Sequence, residues 1–133
     1  AGIDTSGVKK PYLNSSAGSG SKLEKPDLSA ACVNICSLNS DTSYISERDG
    51  QKLYPRIIDN PYTTYTGTSC AAAYISGVCA LLYEKNPNLT YKDVVSLLKV
   101  SSTFLNIPKS VQGSGIINIK KLPKIFLSQQ INC

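Results

Sequence analysis

The chain has 133 residues, of which 41% are hydrophobic and 17% charged, and it includes nine Gly and seven Pro. This length suits one domain with a buried core, and the composition excludes a disordered or collagen-like chain. The net charge is +5, but the lysines are scattered and Arg48 and Arg56 are the only arginines. Nucleic-acid binding needs basic side chains concentrated on one face, so no nucleic-acid partner is expected.

Cysteine and histidine usage bears on metal sites and on the compartment. The five cysteines are odd in number and lack paired metal-ligand spacing, and the chain has no histidine. We therefore expect no metal, no cofactor and no disulfide framework. Unpaired thiols weakly favour a reducing, cytoplasmic compartment, and the localisation is otherwise open. No apolar run has the length needed to cross a bilayer, so no membrane partner is expected.

The first half of the chain predicts short strands joined by loops. Residues 1–4 form the end of a strand, and the start without Met or a signal peptide is typical of the interior of a longer protein. Residues 28–35 have the apolar character of a buried strand. Residues 39–61 are polar and show neither helical nor strand periodicity, so they predict a surface loop inserted within the domain. Residues 62–66 are β-branched and aromatic, which favours a strand.

Two helices are predicted in the second half. Residues 69–84 are small and apolar on nearly all sides, which is typical of a buried helix. Thr90 is the predicted N-cap of the next helix, since Asp93 completes a capping box and Leu89 and Val94 are spaced for a hydrophobic staple. The buried stripe of that helix is predicted to contain four residues: Val94, Val95, Leu97 and Leu98.

The segment that carries chemistry is Gly-Thr-Ser at residues 67–69, which places a serine at the first turn of the predicted buried helix. A hydroxyl there points outward from a rigid element, and free backbone N–H groups and the helix dipole can stabilise an oxyanion. A serine nucleophile also needs a base to take its proton. Because Gly-Thr-Ser is equally an ordinary N-cap sequence, the local pattern alone leaves both interpretations open.

Residues 67–78 resemble the nucleophile motif of the subtilase family, Gly-Thr-Ser-Met-Ala-Ala-Pro-His followed by Val-x-Gly and an apolar helix. Other segments resemble further landmarks of that family in the same order. These are residues 1–4 (the strand Val-Gly-Ala-Val-Asp), 15–18 (Ser-Ser-x-Gly), 25–30 (the Lys-Pro-Asp strand), 81–90 (a helix exit and the next helix start) and 113–118 (Gly-x-Gly-x-Val-Asn). The resemblance covers nearly the whole chain.

The resemblance implies an α/β fold, the carboxy-terminal half of a subtilase-type doubly wound, mostly parallel sheet with packed helices. Residues 1–133 would then be a partial subtilase (peptidase) domain. It further implies a serine endopeptidase in which Ser69 is the catalytic nucleophile. The Ser69 N–H, supported by Thr68, would form part of the oxyanion hole.

The resemblance also shows what this chain lacks. In the family the catalytic Asp, the catalytic His and the oxyanion-hole Asn all precede the strand with which this chain begins. The expected partners are therefore an upstream catalytic segment of the same protease and a peptide or protein substrate. The chain alone is expected to be inactive, and an exposed sheet edge would favour a dimer. Three acidic residues are interpreted as surface or turn residues rather than triad members: Asp4, Asp27 and Asp41.

Departures from the family pattern keep two alternatives open. Ala31 and Cys32 stand where the family usually has Pro-Gly, and Ala73 and Tyr74 stand where it has Pro-His. A glycine with unusual backbone angles would be costly to replace by cysteine, so either the local backbone differs here or the site has drifted. These changes favour a pseudoprotease that keeps the fold as a binding or signalling module. The third hypothesis is a non-enzymatic α/β interaction module.

Overall fold

A computed structural model describes residues 1–19, 24–39, 46–48, 51–53, 57–59 and 61–122. Its strands are β1 (Gly2–Asp4), β2 (Lys10–Pro11), β3 (Ala30–Ala31), β4 (Ile35–Leu38), β5 (Ser46–Arg48), β6 (Gln51–Leu53), β7 (Ile57–Asp59) and β8 (Tyr62–Tyr65). Its helices are α1 (Thr68–Lys85), α2 (Tyr91–Ser101) and α3 (Lys109–Gln112).

The described strands form small mixed sheets. In the first sheet, of order β2-β1-β3, β1 pairs in parallel with β3 and antiparallel with β2. In the second, of order β4-β8-β7, all pairs are antiparallel, and β5 pairs antiparallel with β6. This is an α/β arrangement, but it does not confirm the predicted doubly wound, mostly parallel sheet. Parallel strands need a long crossover, and among the described strands only β1 and β3 pair this way.

The region predicted as a surface loop, residues 39–61, contains strands β5, β6 and β7. Each of these strands is three residues long, which is too short to show an alternating hydrophobic pattern. Several positions of the region lie outside the described residues: 40–45, 49, 50, 54–56 and 60. That residues 39–61 are an insertion within the domain stays a prediction.

The strand predicted over residues 28–35 is divided into β3 and the start of β4. Between them Asn34 has a φ of 53°, a left-handed conformation that asparagine tolerates better than most residues. Its N–H donates to the Thr66 hydroxyl at 2.9 Å, which ties this turn to the end of β8. The turn therefore redirects the chain from the first sheet into the second.

The main core lies between α1 and α2. It consists of six buried side chains: Val78, Leu82, Val94, Leu97, Leu98 and Leu122. Leu89 packs against this cluster, as a hydrophobic staple requires. Val95 is only half-buried, so it lies at the margin of the predicted stripe.

Helix α1 spans Thr68–Lys85, one residue longer at each end than predicted. It is not buried on all sides: Ala71, Val78 and Leu82 are buried, whereas Leu81 is 65% exposed and Tyr74 is 40% exposed. The prediction of a buried helix is wrong for the described part of the chain. Apolar composition reports which surface a helix can bury, while actual burial depends on the neighbours that cover it.

The predicted start of α2 is confirmed. The Asp93 N–H donates to the hydroxyl of the N-cap Thr90 at 3.3 Å, and the Thr90 N–H donates to the Asp93 carboxylate at 2.8 Å. Hydrogen bonds from the Thr90 hydroxyl and N–H lower the pKa of the Asp93 carboxyl. The capping box therefore satisfies donors that the first turn of a helix otherwise leaves unpaired.

Thr90→Ala is expected to lower the free energy of unfolding by about 1 kcal/mol, because alanine removes the acceptor of the Asp93 N–H. Urea denaturation measures this difference. Ser96→Ala, on the exposed side of the same helix, is the matched control, and we expect it to change stability by less than about 0.5 kcal/mol. Equal losses in the two variants would contradict the capping role of Thr90.

Candidate active site

Residues 67–69 connect β8 to α1 and form the start of the helix. Gly67 is the N-cap residue, and no side chain caps the helix. The Cys70 N–H donates to the Gly67 carbonyl at 3.0 Å. Within the described ranges the N–H groups of Thr68 and Ser69 have no acceptor, as expected for the first amides of a helix.

Ser69 is the second residue of α1, and its side chain is exposed. The first turn contains no acidic residue, so no carboxylate of that turn offsets the partial positive charge at the helix N-terminus. The two amides without acceptors lie beside this exposed hydroxyl and can donate hydrogen bonds to a negatively charged oxygen. The roles of Ser69 as nucleophile and of Thr68 as oxyanion support stay predictions.

Cys32 ties the start of α1 to the first sheet. Its carbonyl accepts the Gly67 N–H at 2.8 Å, and its own N–H donates to the Ile3 carbonyl at 3.1 Å. The side chain is fully buried, and burial raises the pKa of the thiol. Because the thiolate is the reactive form, this cysteine is expected to be inert at neutral pH. Its backbone hydrogen bonds hold the turn before Ser69 against the first sheet.

The Cys32 side chain fits because residue 2 is a glycine. A Cβ on Gly2 would lie only 2.5 Å from the Cys32 Sγ and 3.3 Å from the Thr68 Cγ2. The expected cost of a cysteine at a strained position does not arise, since Asn34 is the non-glycine residue with positive φ in the described part. Gly2 and Cys32 are both visible in the sequence, but only the pairing of their two segments in the structure shows that they are in contact.

The acidic residues near this region are engaged elsewhere. The Asp4 carboxylate accepts the Ser6 hydroxyl at 2.6 Å and the Ser6 N–H at 3.0 Å, and these hydrogen bonds lower the pKa of Asp4. Asp27 forms ion pairs with Lys25 and Lys99, whose hydrogen bonds lower its pKa. Both carboxylates thus have partners of their own, which agrees with their interpretation as surface or turn residues.

The described part of the chain offers neither a histidine base nor a metal-binding cluster. Asp41 lies outside it, and the sequence has no histidine that could act as the base for Ser69. No group of three or more His, Cys, Asp or Glu residues is placed there to hold a metal ion. In the same residues, none of the helices combines the length and apolarity that crossing a membrane requires.

A cavity of about 430 Å³ opens beside the first turns of α1. Thr68, Ala72 and Ile75 line one side of it, and Pro26 and Leu28 line the other. Sequence reasoning missed this cavity because its two walls come from segments that are distant along the chain.

Comparison with known proteins gives a family match. The sequence model of the subtilase family matches residues 2–115. Serine protease AprX of Bacillus subtilis (strain 168) is 35% identical over 96 residues, which are 71% of this chain and 21% of that protein. Subtilisin-like protease 1 of Plasmodium berghei (strain Anka) is 31% identical over 99 residues, 74% of this chain and 16% of that protein.

A shorter relative shows the same pattern. Subtilisin DY of Bacillus licheniformis is 35% identical over 72 residues, which are 53% of this chain and 26% of that protein. The chain thus spans about a fifth of the length of the curated relatives that it matches. No solved structure gives a significant match.

Proposed function

This chain belongs to the subtilase family, and on that premise we propose that it carries the nucleophile of a serine endopeptidase. The observation that carries the proposal is the exposed Ser69 hydroxyl in the first turn of α1. It lies beside two backbone amides that have no acceptor among the described residues. The names of the relatives, which are serine proteases and subtilisins, support protease activity in general.

In the proposed reaction the Ser69 oxygen attacks the carbonyl carbon of a peptide bond while a general base takes the hydroxyl proton. The Ser69 N–H, with Thr68 in support, would stabilise the oxyanion of the tetrahedral intermediate. Cleavage of the C–N bond then leaves an acyl-enzyme ester on Ser69, and the amine departs with the proton from the base. Water then hydrolyses the ester, which releases the carboxylic acid product and regenerates the Ser69 hydroxyl.

We propose that an upstream segment of the same protease supplies the Asp, the His and the oxyanion-hole Asn. The chain has no histidine, so the base must come from outside these residues. That the matched region is about a fifth of each relative supports this division. The chain alone would then carry the nucleophile but could not cleave peptides.

The second candidate is a subtilase-fold pseudoprotease that acts as a binding or signalling module. Cys32 no longer supports it, because the cysteine fits beside Gly2 without distorting the turn before α1. Its remaining support is Ala73 and Tyr74, which replace the Pro-His of the family motif about one turn after Ser69. Tyr74 is 40% exposed, so its ring borders the face of α1 that faces solvent.

A dimer through a sheet edge is a secondary proposal. Among the described strands β4 is an edge of its sheet, and three of its residues are exposed: Cys36, Ser37 and Leu38. Such an edge can pair with the same strand of a second copy.

A serine-directed fluorophosphonate probe tests the proposed function. We expect the probe to label Ser69 in the protease that includes the upstream segment, and to leave the isolated chain unlabelled because no base is present. Peptide mapping locates the label. A folded protease with the upstream Asp and His in place but no label on Ser69 would favour the pseudoprotease.

A further inference from the structure

The Cys32 side chain lies between the first sheet and the start of α1. It is fully buried and forms one cluster with Ala30, which belongs to β3, and Ala71, which belongs to α1. The interior of a protein is close-packed, so a side chain in such a cluster has little room to move. The cysteine therefore sets how closely the helix approaches the sheet at this point.

The backbone of Cys32 connects the same two elements. Its N–H donates to the carbonyl of Ile3 in β1 at 3.1 Å, and its carbonyl accepts the Gly67 N–H at 2.8 Å. The Gly67 carbonyl in turn accepts the Cys70 N–H at 3.0 Å, across the start of α1. A shift of Cys32 relative to β1 would therefore be passed on to the residues on both sides of Ser69.

The distance between Cys32 and β1 depends on the missing side chain of Gly2. A Cβ on Gly2 would lie 2.5 Å from the Cys32 Sγ, 3.2 Å from the Cys32 Cβ and 3.3 Å from the Thr68 Cγ2. Rotation of the cysteine side chain would move only the sulfur, because the Cβ is fixed to the backbone. Gly2 has no positive φ, so the contact, and not the backbone angle, favours glycine.

The subtilase motifs have the reverse arrangement of this pair. They carry Ala at the position of Gly2, in Ala-Val-Asp, and Gly at the position of Cys32. In this chain the side chain has moved from one member of the pair to the other. The two departures therefore compensate each other in volume, which keeps the space beside the start of α1 filled.

We propose that the Gly2–Cys32 contact positions Ser69, with Cys32 as the positioning residue. The inference rests on the proposed function, since it concerns the placement of the same nucleophile. Ser69 is the second residue of α1, so its hydroxyl and the adjacent amides move with the turn that Cys32 holds. A misplacement of about 1 Å can lower a reaction rate on the order of 10²-fold.

Gly2→Ala tests the contact in the protease that includes the upstream segment. We expect fluorophosphonate labelling of Ser69 to slow about tenfold or more, because the added Cβ displaces Cys32 and the start of α1. The kcat for a chromogenic peptide should fall in parallel while KM stays the same, since the contact places the nucleophile and not the substrate.

A second substitution at Cys32 should reverse the effect. Cys32→Gly removes both cysteine atoms near the new Cβ, so the double variant Gly2→Ala/Cys32→Gly should label at a rate within about threefold of the unsubstituted protease. Cys32→Gly alone should also slow labelling, because it leaves unfilled space beside Gly2. If Gly2→Ala does not fold, recovery of folding and labelling in the double variant still tests the contact.

Two controls separate placement of Ser69 from a general loss of stability. Gly7→Ala adds the same methyl group at a position where nothing lies within 4 Å, so it should leave labelling unchanged. Thr90→Ala removes the N-cap acceptor of α2 and lowers stability without changing the start of α1. It should also leave the labelling rate unchanged.

The outcomes distinguish this inference from the proposed function. Ser69 labelling at the unsubstituted rate in Gly2→Ala would overturn the positioning role and leave the proposed function in place. Equal slowing in Gly2→Ala and Thr90→Ala, or a double variant that does not recover, would also overturn the positioning role alone. A folded unsubstituted protease with no label on Ser69 would overturn both.

Discussion

Replacing Ser69 by alanine is expected to lower kcat of the protease that includes the upstream segment on the order of 10⁶-fold. The variant lacks the oxygen that forms the acyl-enzyme, so neither the base nor the oxyanion donors can compensate for the loss. Hydrolysis of a chromogenic peptide measures kcat, and fluorophosphonate labelling should disappear in parallel. Because Ser69 is exposed, the free energy of unfolding should change by less than about 0.5 kcal/mol.

Ser76→Ala is the matched control for this prediction. Ser76 is also an exposed serine of α1, and its hydroxyl donates to the Ala72 carbonyl at 3.1 Å. We expect this variant to keep full labelling and nearly full activity. Peptidase activity that survives in Ser69→Ala, or that is lost equally in both variants, would assign the nucleophile to another residue or the effect to the helix.

Gln112→Leu is expected to lower the free energy of unfolding by about 3 kcal/mol. Gln112 is fully buried, and its side chain forms hydrogen bonds to the backbone of the segment that follows α2. The Gln112 Oε1 accepts the Leu105 N–H at 2.8 Å, while Nε2 donates to the carbonyls of Leu105 and Ile107. Leucine preserves the volume but leaves these three backbone groups without their partner.

Urea denaturation of Gln112→Leu and of a control on the same short helix measures this effect. Ser110 is exposed on α3, so Ser110→Ala should change stability by less than about 0.5 kcal/mol. The next residue, Gly113, adopts a φ of 65°, and a Cβ there would lie 2.3 Å from the Pro26 carbonyl oxygen. Loss of the Gln112 hydrogen bonds should therefore also loosen the contact of Gly113 with residues 26 and 27. If Gln112→Leu lowered the free energy of unfolding as little as Ser110→Ala does, this stabilising role of Gln112 would be contradicted.

Local patterns predicted the positions of the two long helices well, but they predicted neither α3 nor most of the strands. The capping box of Thr90 and Asp93 set the start of α2, and the glycine before Thr68 preceded the start of α1. Both signals act within four residues, so no distant segment has to be known. The strands are two to four residues long, and β3 and β4 are separated by the left-handed turn at Asn34. Such short elements form through pairing with other segments, which periodicity does not report.

The candidate site divides in the same way. The motif at residues 67–69 identified Ser69 and Thr68 as candidates, because a glycine turn before a helix is a local feature. Neither the cavity beside α1 nor the hydrogen bonds of the Gln112 side chain were predicted, since each joins separate segments of the chain. Of the two explanations left open for Cys32, the structure supports a different local backbone, since Cys32 has no positive φ.

The sequence by itself determined the family, the position of the serine motif and the start of both long helices. These depend on residue order and on hydrogen bonds within a single turn. Only the tertiary structure decided that α1 buries one of its faces and exposes the other. It also decided that Cys32 packs against Gly2 and which strands pair with each other. The physical reason is that burial and strand pairing are properties of two surfaces in contact, and a single segment specifies only one of them.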